Sequence, residues 1–493
     1  MAVTILDVTT DRSFFGHPRG LSTLFFTEMW ERFSYYGMRA LLILFMTAPA
    51  AAGGLGFDTA VAGAVYGLYT SMVYMTSLPG GWIADKLIGQ RRAVLYGAIL
   101  IACGHFSMAF PSLGTFYLGL VLIVFGTGLL KGNVSVIVGR LYGPNDNRRD
   151  AGFSIFYMGI NLGAFIAPLV CGYLGQRINW HIGFTAAGFG MVIGIVQYVL
   201  GGKYLGDAGL HPASGPANDD LRKRTRAWGA AGIALVVLIA LALNFDLVPI
   251  SAKAFADAAG YLLLGTTIVF FAWLFFGGDW TTAERRRLFA IGALFLAAAL
   301  FWSEFEQAGS TLNLFGDRAT RTSILGWSFP SSYFQALQPL FIITFAPIFA
   351  WVWIRLGSRE PSSPAKFAIG LLLVGSGFAL LVVASSLSAQ GVKVSPWWLV
   401  VTYLLHTFGE LSISPVGLSA TTKLAPARVG GLMMGVWFLG IAVGNFIGGR
   451  VASLYSAMPL PRLFGVVAAA AIVGGIVMFA LTPPIKRLMG TVN

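Results

Sequence analysis

Apolar runs long enough to cross a bilayer recur along almost the whole chain, broken by short stretches of Gly, Pro and basic residues. A helix needs about 20 such residues to span about 30 Å of hydrocarbon. Bounded by Gly/Pro and charge breaks, the runs fall at 21–51, 59–85, 91–110, 113–141, 151–176 and 180–201, then 227–245 and 256–277. Six more follow at 287–314, 330–355, 365–387, 396–422, 428–456 and 461–483. The expectation is an all-α integral membrane protein with 14 spans in a six, two, six order. Between the first six and the middle pair, Lys203 to Arg226 is polar and basic and contains Gly206, Gly209, Pro212, Gly215 and Pro216, which reads as a linker. The chain divides accordingly into an N-terminal six-helix bundle (1–202), a linker (203–226), two extra helices (227–280) and a C-terminal six-helix bundle (281–493).

The first run departs from this pattern. Thr27-Glu28-Met29-Trp30-Glu31-Arg32-Phe33-Ser34-Tyr35-Tyr36-Gly37 sets three ionisable side chains in apolar surroundings. Charge is costly in hydrocarbon, so these groups should face a polar cavity inside a bundle. At about 100° per residue, Glu28, Arg32, Tyr35 and Arg39 fall on one stripe, flanked by Glu31 and Tyr36. Glu31 lies about ten residues into the run, roughly 15 Å from its start and near mid-bilayer. That depth disfavours the plainer reading of a headgroup cluster with a snorkelling Arg.

Later runs add Lys131, a lone ammonium in the glycine-rich Gly126-Thr127-Gly128-Leu129-Leu130-Lys131-Gly132-Asn133, and the carboxyls of Glu304, Glu306 and Glu410. Helix interiors thus set five glutamates against Arg32, Arg39 and Lys131. An excess of carboxylates in a low-dielectric interior implies that at least one takes up protons near neutral pH. Glu304 and Glu306 are separated by about 200° of helix rotation, so only one should face a central cavity, and Glu306 is the expected one. His406, one turn before Glu410, reads as a packed residue in preference to a relay.

Composition agrees: 56% of residues are hydrophobic and 11% charged, against roughly a quarter charged in soluble domains. The net charge of +13 does not point to nucleic acid once the loops are assigned to alternate sides of the membrane. Of the 33 Lys and Arg, 23 fall on one side, seven on the other, and Arg32, Arg39 and Lys131 inside helices. The positive-inside rule makes the richer side, with both termini, cytoplasmic. The first run is too long and too charged for a cleavable signal peptide. Cys103 and Cys171 sit in apolar segments as packing residues, and the five histidines show no metal-ligand spacing. With no P-loop and no nucleophile–base pair, neither an enzyme nor a cofactor is expected.

Gly81-Trp82-Ile83-Ala84-Asp85-Lys86-Leu87-Ile88-Gly89-Gln90-Arg91-Arg92 resembles the loop signature of the major facilitator superfamily, with one extra residue before its Gly. Asp85 there is placed to cap or pair at a helix end facing Arg91 and Arg92, making the loop a candidate latch; a solvated turn is the alternative. Glu28-x-x-Glu31-Arg32-Phe33-x-Tyr35-Tyr36 resembles the signature of the POT (PTR) family of proton-dependent oligopeptide transporters. Phe156-Tyr157-Met158-Gly159-Ile160-Asn161-Leu162-Gly163, Phe301-Trp302 with Glu306-Gln307, and Gly409-Glu410-Leu411-Ser412-Ile413-Ser414-Pro415-Val416-Gly417 resemble further family segments in the right order. The resemblance covers nearly the whole chain. It implies a major facilitator fold of two six-helix bundles, with the two extra helices of bacterial members between them.

The resemblance also implies a function: proton-coupled symport of di- and tripeptides across the inner membrane into the cytoplasm, by alternating access, as a monomer without cofactor. Its partners are peptides, protons and the lipid bilayer. Glu410 looks like the anchor for the peptide's amino terminus, Arg32 and Lys131 like carboxylate anchors, and Trp302 and Trp437 like walls of side-chain pockets. Tyr35, Tyr69, Asn161, Gln338 and Ser414 complete the expected peptide contacts, Gln338 replacing an Asn common in bacterial members. Glu28, Glu31, Arg32 and Glu306 would carry proton coupling. Arg39 with Glu306, and Lys131 with Glu410, resemble gating salt bridges. A carrier of another small solute, such as a nitrate-like anion, on the same fold and a non-transporting membrane sensor are the alternatives, the latter weakened by the lack of an appended soluble domain.

Overall fold

The computed structural model describes residues 11–143, 145–212, 223, 227, 251–426, 429 and 432–490. The span expected at 227–245 lies outside the described residues, as does most of the linker. The first helices are α1 (Gly20–Thr47), α2 (Thr59–Met75), α3 (Ser77–Ile83), α4 (Gln90–Ser107), α5 (Leu113–Arg140), α6 (Arg149–Tyr173) and α7 (Trp180–Gly201). After the linker come α8 (Ala252–Phe276), α9 (Thr282–Phe305), α10 (Thr311–Arg318), α11 (Leu337–Leu356), α12 (Ser363–Ser388) and α13 (Trp397–Leu424). The last are α14 (Met433–Ser453), α15 (Leu460–Ala480) and α16 (Thr482–Met489). Among the described residues, ten helical segments are long and apolar enough to cross a membrane. The length of α1 also suffices, but it carries four charges, Glu28, Glu31, Arg32 and Arg39.

Two of the expected spans differ for local reasons. The run 59–85 is two helices meeting at Thr76, because Pro79 has no N–H to give Met75 and its ring crowds that carbonyl. Gly89 then takes φ 81° to turn the chain into α4. The run 287–314 starts earlier, at Thr282, where Thr281 and Glu284 form a capping box: Glu284 N donates to Thr281 Oγ1 at 3.2 Å and Thr281 N to Glu284 Oε2 at 2.9 Å. The same run breaks after Phe305 into a tight turn over Glu306–Gly309, and Ser310 is non-helical at φ −126°. Between α10 and α11 lies a short hairpin, β1 (Ser323–Ile324) against β2 (Trp327–Ser328), whose Leu325 and Gly326 both take positive φ as a two-residue turn requires.

By its contacts the chain divides into two compact units. The first contains the described residues of Met1–Leu41 and Met75–Ser251. In hydrocarbon apolar surface gives little net drive for helices to associate, so close backbone approach matters more. Gly97 of α4 and Gly126 of α5 provide it, since a Cβ on Gly126 would lie 2.7 Å from the Gly97 carbonyl. Leu24, Val94, Ile101, Leu130, Val134 and Met191 fill the adjoining core.

The second unit contains the described residues of Leu42–Tyr74 and Ala252–Asn493. Within it α12 packs along α13 and α15. The chain's early helix α2 belongs here because Gly67 meets Gly449 of α14 almost backbone to backbone, and Ser71 Oγ donates to the Ala442 carbonyl at 2.8 Å. An ion pair between Asp257 and Arg450, together with Gly260 set against the Phe446 ring, ties α8 to α14.

Candidate functional site

In the first unit the charged stripe of α1 is held from two sides. Gly159 and Gly163, one turn apart on α6, let that helix press on α1: a Cβ on Gly159 would lie 2.9 Å from the Phe25 ring, and one on Gly163 would overlap the Met29 carbonyl and lie 3.1 Å from Arg32 Cβ. On the opposite side, Ser34 Oγ hydrogen-bonds His105 Nε2 of α4 at 2.6 Å, and Thr27 donates to Gln197 of α7 at 3.1 Å. These contacts fix which way Glu28, Glu31, Arg32 and Tyr35 face.

All four are buried, as is Arg39. Arg32 Nε lies 3.1 Å from Glu28 Oε1 and also pairs with Glu31, while its guanidinium sits 5.5 Å from the Tyr35 ring centre. Arg39 lies over Tyr36 at 5.6 Å. Glu28 Oε2 and Glu31 Oε1 accept no hydrogen bond from the described residues, so each keeps an open acceptor. Lys131 on α5 acts electrostatically on Glu28. Glu28, Glu31, Arg32 and Lys131 balance to zero only while both carboxyls are ionised. Protonating one leaves a net positive charge beside a basic pair, a setting that favours a carboxylate ligand. The Asn161 carboxamide, on the α6 turn between the two glycines, donates to the Tyr157 carbonyl at 3.0 Å.

The second unit gathers the complementary groups. Glu410 on α13 accepts a long 3.4 Å hydrogen bond from Gln338 Nε2 of α11, and Glu306 at the break after α9 acts electrostatically on it. A second carboxyl near Glu410 disfavours two negative charges together, an arrangement suited to holding a cation or a proton. The rings of Trp302 and Trp437 stand edge to face, 6.4 Å apart. The Trp302 indole N–H finds no acceptor among the described residues. Gly417, the last residue of the α13 motif, makes room for the Trp437 ring, and Gly444 makes room for Trp302, whose Cβ would lie 2.7 Å from an added methyl. Ser414 keeps a buried hydroxyl without a partner among the described residues, and Tyr69 is buried on α2.

Asp85 and Arg91 of the loop signature each bond to groups other than one another. Gln90 Nε2 donates to Asp85 Oδ1 at 2.5 Å. Arg91 caps the end of α7 and the turn beyond it, donating to the carbonyls of Gly202 at 2.5 Å and Gly206 at 2.8 Å, with its own N–H on Gly209 at 2.9 Å. Arg92 is exposed. Sequence reasoning named Arg91 but missed its partners, since carbonyls far along the chain leave no side-chain signature. It also missed the Ser34–His105 contact, for which only a polar residue on the far face of α1 was a clue.

A sequence profile of the POT family matches residues 91–466. The peptide transporter YePEPT of Yersinia enterocolitica subsp. palearctica is 42% identical over 97% of this chain and 96% of its own length. The di-/tripeptide transporter of Lactococcus lactis subsp. cremoris is 37% identical over 98% of this chain and 99% of its own. A crystal structure of peptide transporter POT in complex with sulfate, 44% identical, aligns with a TM-score of 0.92 over 98% of both chains.

Proposed function

The chain belongs to the POT family, and we propose that it carries di- and tripeptides into the cell together with protons. The observation that carries this is the buried Glu28–Arg32–Glu31 cluster with Lys131 beside it. In this reading protonation of Glu28 or Glu31 releases Arg32 and Lys131 to take the peptide carboxylate, and Glu410, with Gln338 beside it, takes the peptide ammonium. Trp302 and Trp437 border the side-chain pocket, while Tyr35, Tyr69, Asn161 and Ser414 supply polar contacts. Glu306 holds the coupling proton in the second half of the cycle.

One proton crossing about 100 mV yields roughly 2.3 kcal/mol, and one pH unit adds about 1.4 kcal/mol. Together they suffice to accumulate a neutral zwitterion about 500-fold. The excess of Lys and Arg on one set of loops supports cytoplasmic termini in a bacterial inner membrane. The moving parts are assigned to 1–202 and 281–493 acting as a monomer, with 227–280 as added helices. The gates Arg39 with Glu306 and Lys131 with Glu410, and the loop residues Asp85, Arg91 and Arg92 as a latch, rest on the family resemblance. Uptake of labelled dipeptide into proteoliposomes under an inward proton gradient tests the reading. Accumulation that an uncoupler abolishes is expected; uptake indifferent to the gradient would contradict it.

A further inference from the structure

The hairpin between α10 and α11 presents an apolar tip that packs on no described residue. Ile324 and Trp327 are cross-strand partners of β1 and β2, so both side chains project from one face. Trp327 is 61% exposed and Ile324 38%, and Leu325 at the tip is fully exposed. Leu325 also takes φ 50°, in the left-handed region that strains side chains other than those of Asn and Asp. Asn-Gly or Asp-Gly makes a two-residue turn of this kind at less cost. A strained residue that nothing within the chain holds in place points to a partner outside it.

The base of the hairpin is fastened where the second unit enters the membrane. Arg321 N donates to the Val394 carbonyl and Val394 N to the Ala319 carbonyl, each at 2.9 Å, joining the hairpin to the turn between α12 and α13. Shortly after Val394, α13 begins at the exposed Trp397. Tryptophan at the end of a spanning helix marks the headgroup layer. The Trp327 ring lies 5.3 Å from that of Phe329 and 6.2 Å from that of Tyr333, which ties the tip to the helical turn leading into α11. From Arg321 to Leu325 the strand reaches about 13 Å, at about 3.3 Å per residue. The headgroup layer is about 5–8 Å deep on each side.

The base is also unusually basic for its side of the membrane. The loops there hold seven Lys and Arg, and three of these, Arg318, Arg321 and Lys393, meet at the hairpin. All three are exposed. Arg318 lies over the Tyr455 ring at 5.7 Å, and Lys393 Nζ donates to the Asp317 carbonyl at 3.2 Å. The acidic side chain beside them is Asp317, whose carboxylate accepts from Ser331 Oγ at 2.8 Å. Positive charge is depleted from outer loops, so a cluster of it needs a reason. An apolar tip above a basic base is how a surface segment inserts among anionic lipids.

We propose that the hairpin Ser323–Ser328 is a lipid anchor: Ile324, Leu325 and Trp327 enter the outer leaflet, and Arg321, with Arg318 and Lys393, meets the phosphate of an anionic headgroup. Insertion supplies the contacts that the chain itself does not give Leu325. It also ties the outer end of α11, which carries Gln338, to the membrane surface. The choice of leaflet rests on the loop assignment that makes the termini cytoplasmic, whereas insertion itself requires neither peptide nor proton transport.

The test places an environment-sensitive fluorophore on Leu325→Cys in the full chain, with the exposed Cys103 replaced as Cys103→Ser. The protein is held in nanodiscs of phosphatidylcholine with or without phosphatidylglycerol. Blue-shifted emission, quenching by nitroxide-bearing lipids and protection from aqueous iodide are expected. One basic residue near an anionic surface is worth about fivefold in attraction, so Arg321→Gln should lower the label's preference for phosphatidylglycerol by about that factor. Iodide quenching without lipid quenching would put the tip in water. Resistance to both quenchers would put it against protein, in this chain or a second copy. Either result overturns the proposal, and an unchanged phosphatidylglycerol preference in Arg321→Gln overturns the part given to the basic base. Should Leu325→Cys fail to fold, Ile324→Cys reads the same depth. Because the label reports without transport, a tip in lipid on a protein that lacks proton-driven uptake would count against the carrier reading alone.

Discussion

Adding one methyl group at Gly163 should uncouple α1 from α6. A Cβ there would overlap the Met29 carbonyl, lie 3.0 Å from its carbon and 3.1 Å from Arg32 Cβ, and none of these atoms belongs to a flexible side-chain end. Restoring ordinary contact requires the helices to part by roughly 1 Å, and overpacking of this kind costs about 1–3 kcal/mol. That shifts the balance between the packed and parted arrangements by about fivefold to 150-fold. The turn that moves carries Arg32, so the Glu28–Arg32–Glu31 geometry is lost with it. Gly163→Ala should therefore lower Tm and cut proton-driven peptide uptake by at least fivefold. Gly132→Ala is the control, because nothing lies within 4 Å of its Cβ position and Ala is the better helix former by about 1 kcal/mol, so its Tm should hold or rise. A Gly163→Ala protein with wild-type Tm and wild-type uptake would refute the packing argument.

Three further outcomes follow from the same geometry. Lys131→Ala should lose peptide uptake in proteoliposomes, and normal uptake would make Lys131 merely structural. Arg91→Ala removes two charged hydrogen bonds to the turn after α7 and should cost on the order of 2 kcal/mol, after allowance for partial exposure; an unchanged Tm would remove Arg91 from that role. At the start of the described chain, His17 Nδ1 meets the Tyr142 hydroxyl at 2.9 Å, and Arg148 Nη1 bonds the carbonyls of Asp11 and Gly16 at 3.1 Å each. Burial, and then the Arg148 charge, hold the His17 pKa below its ordinary value. This docking is fully stable above the unfolded imidazole pKa of about 6.5 and weakens as pH falls below it. Tryptic cleavage at the exposed Arg12, normalised to a free peptide, should accelerate from pH 8 to pH 6; the opposite trend would contradict the sign.

Much of the fold was legible because a membrane allows few alternatives: long apolar runs must be helices, and basic loops mark one side. Pro79 announced the break at Thr76, yet hydropathy alone ran through it. The chemistry of the site was equally visible in Glu28, Arg32, Lys131, Glu306 and Glu410, since charge inside an apolar run demands a reason. What makes the motifs recur as units was not visible. Gly159 and Gly163 act by having no side chain, and Gly417 acts by leaving space for Trp437, which is distant in sequence. Glu304 was expected to face away from a central cavity, and it is buried all the same.

Buried carboxylates beside Arg32 and in the second unit are proposed to link protons to peptide movement. Glu28→Gln, Glu31→Gln and Glu306→Gln measured side by side test it most directly, each assayed for proton-driven accumulation and for peptide exchange without a gradient. Accumulation should be lost while exchange continues. Wild-type accumulation in all three would contradict it.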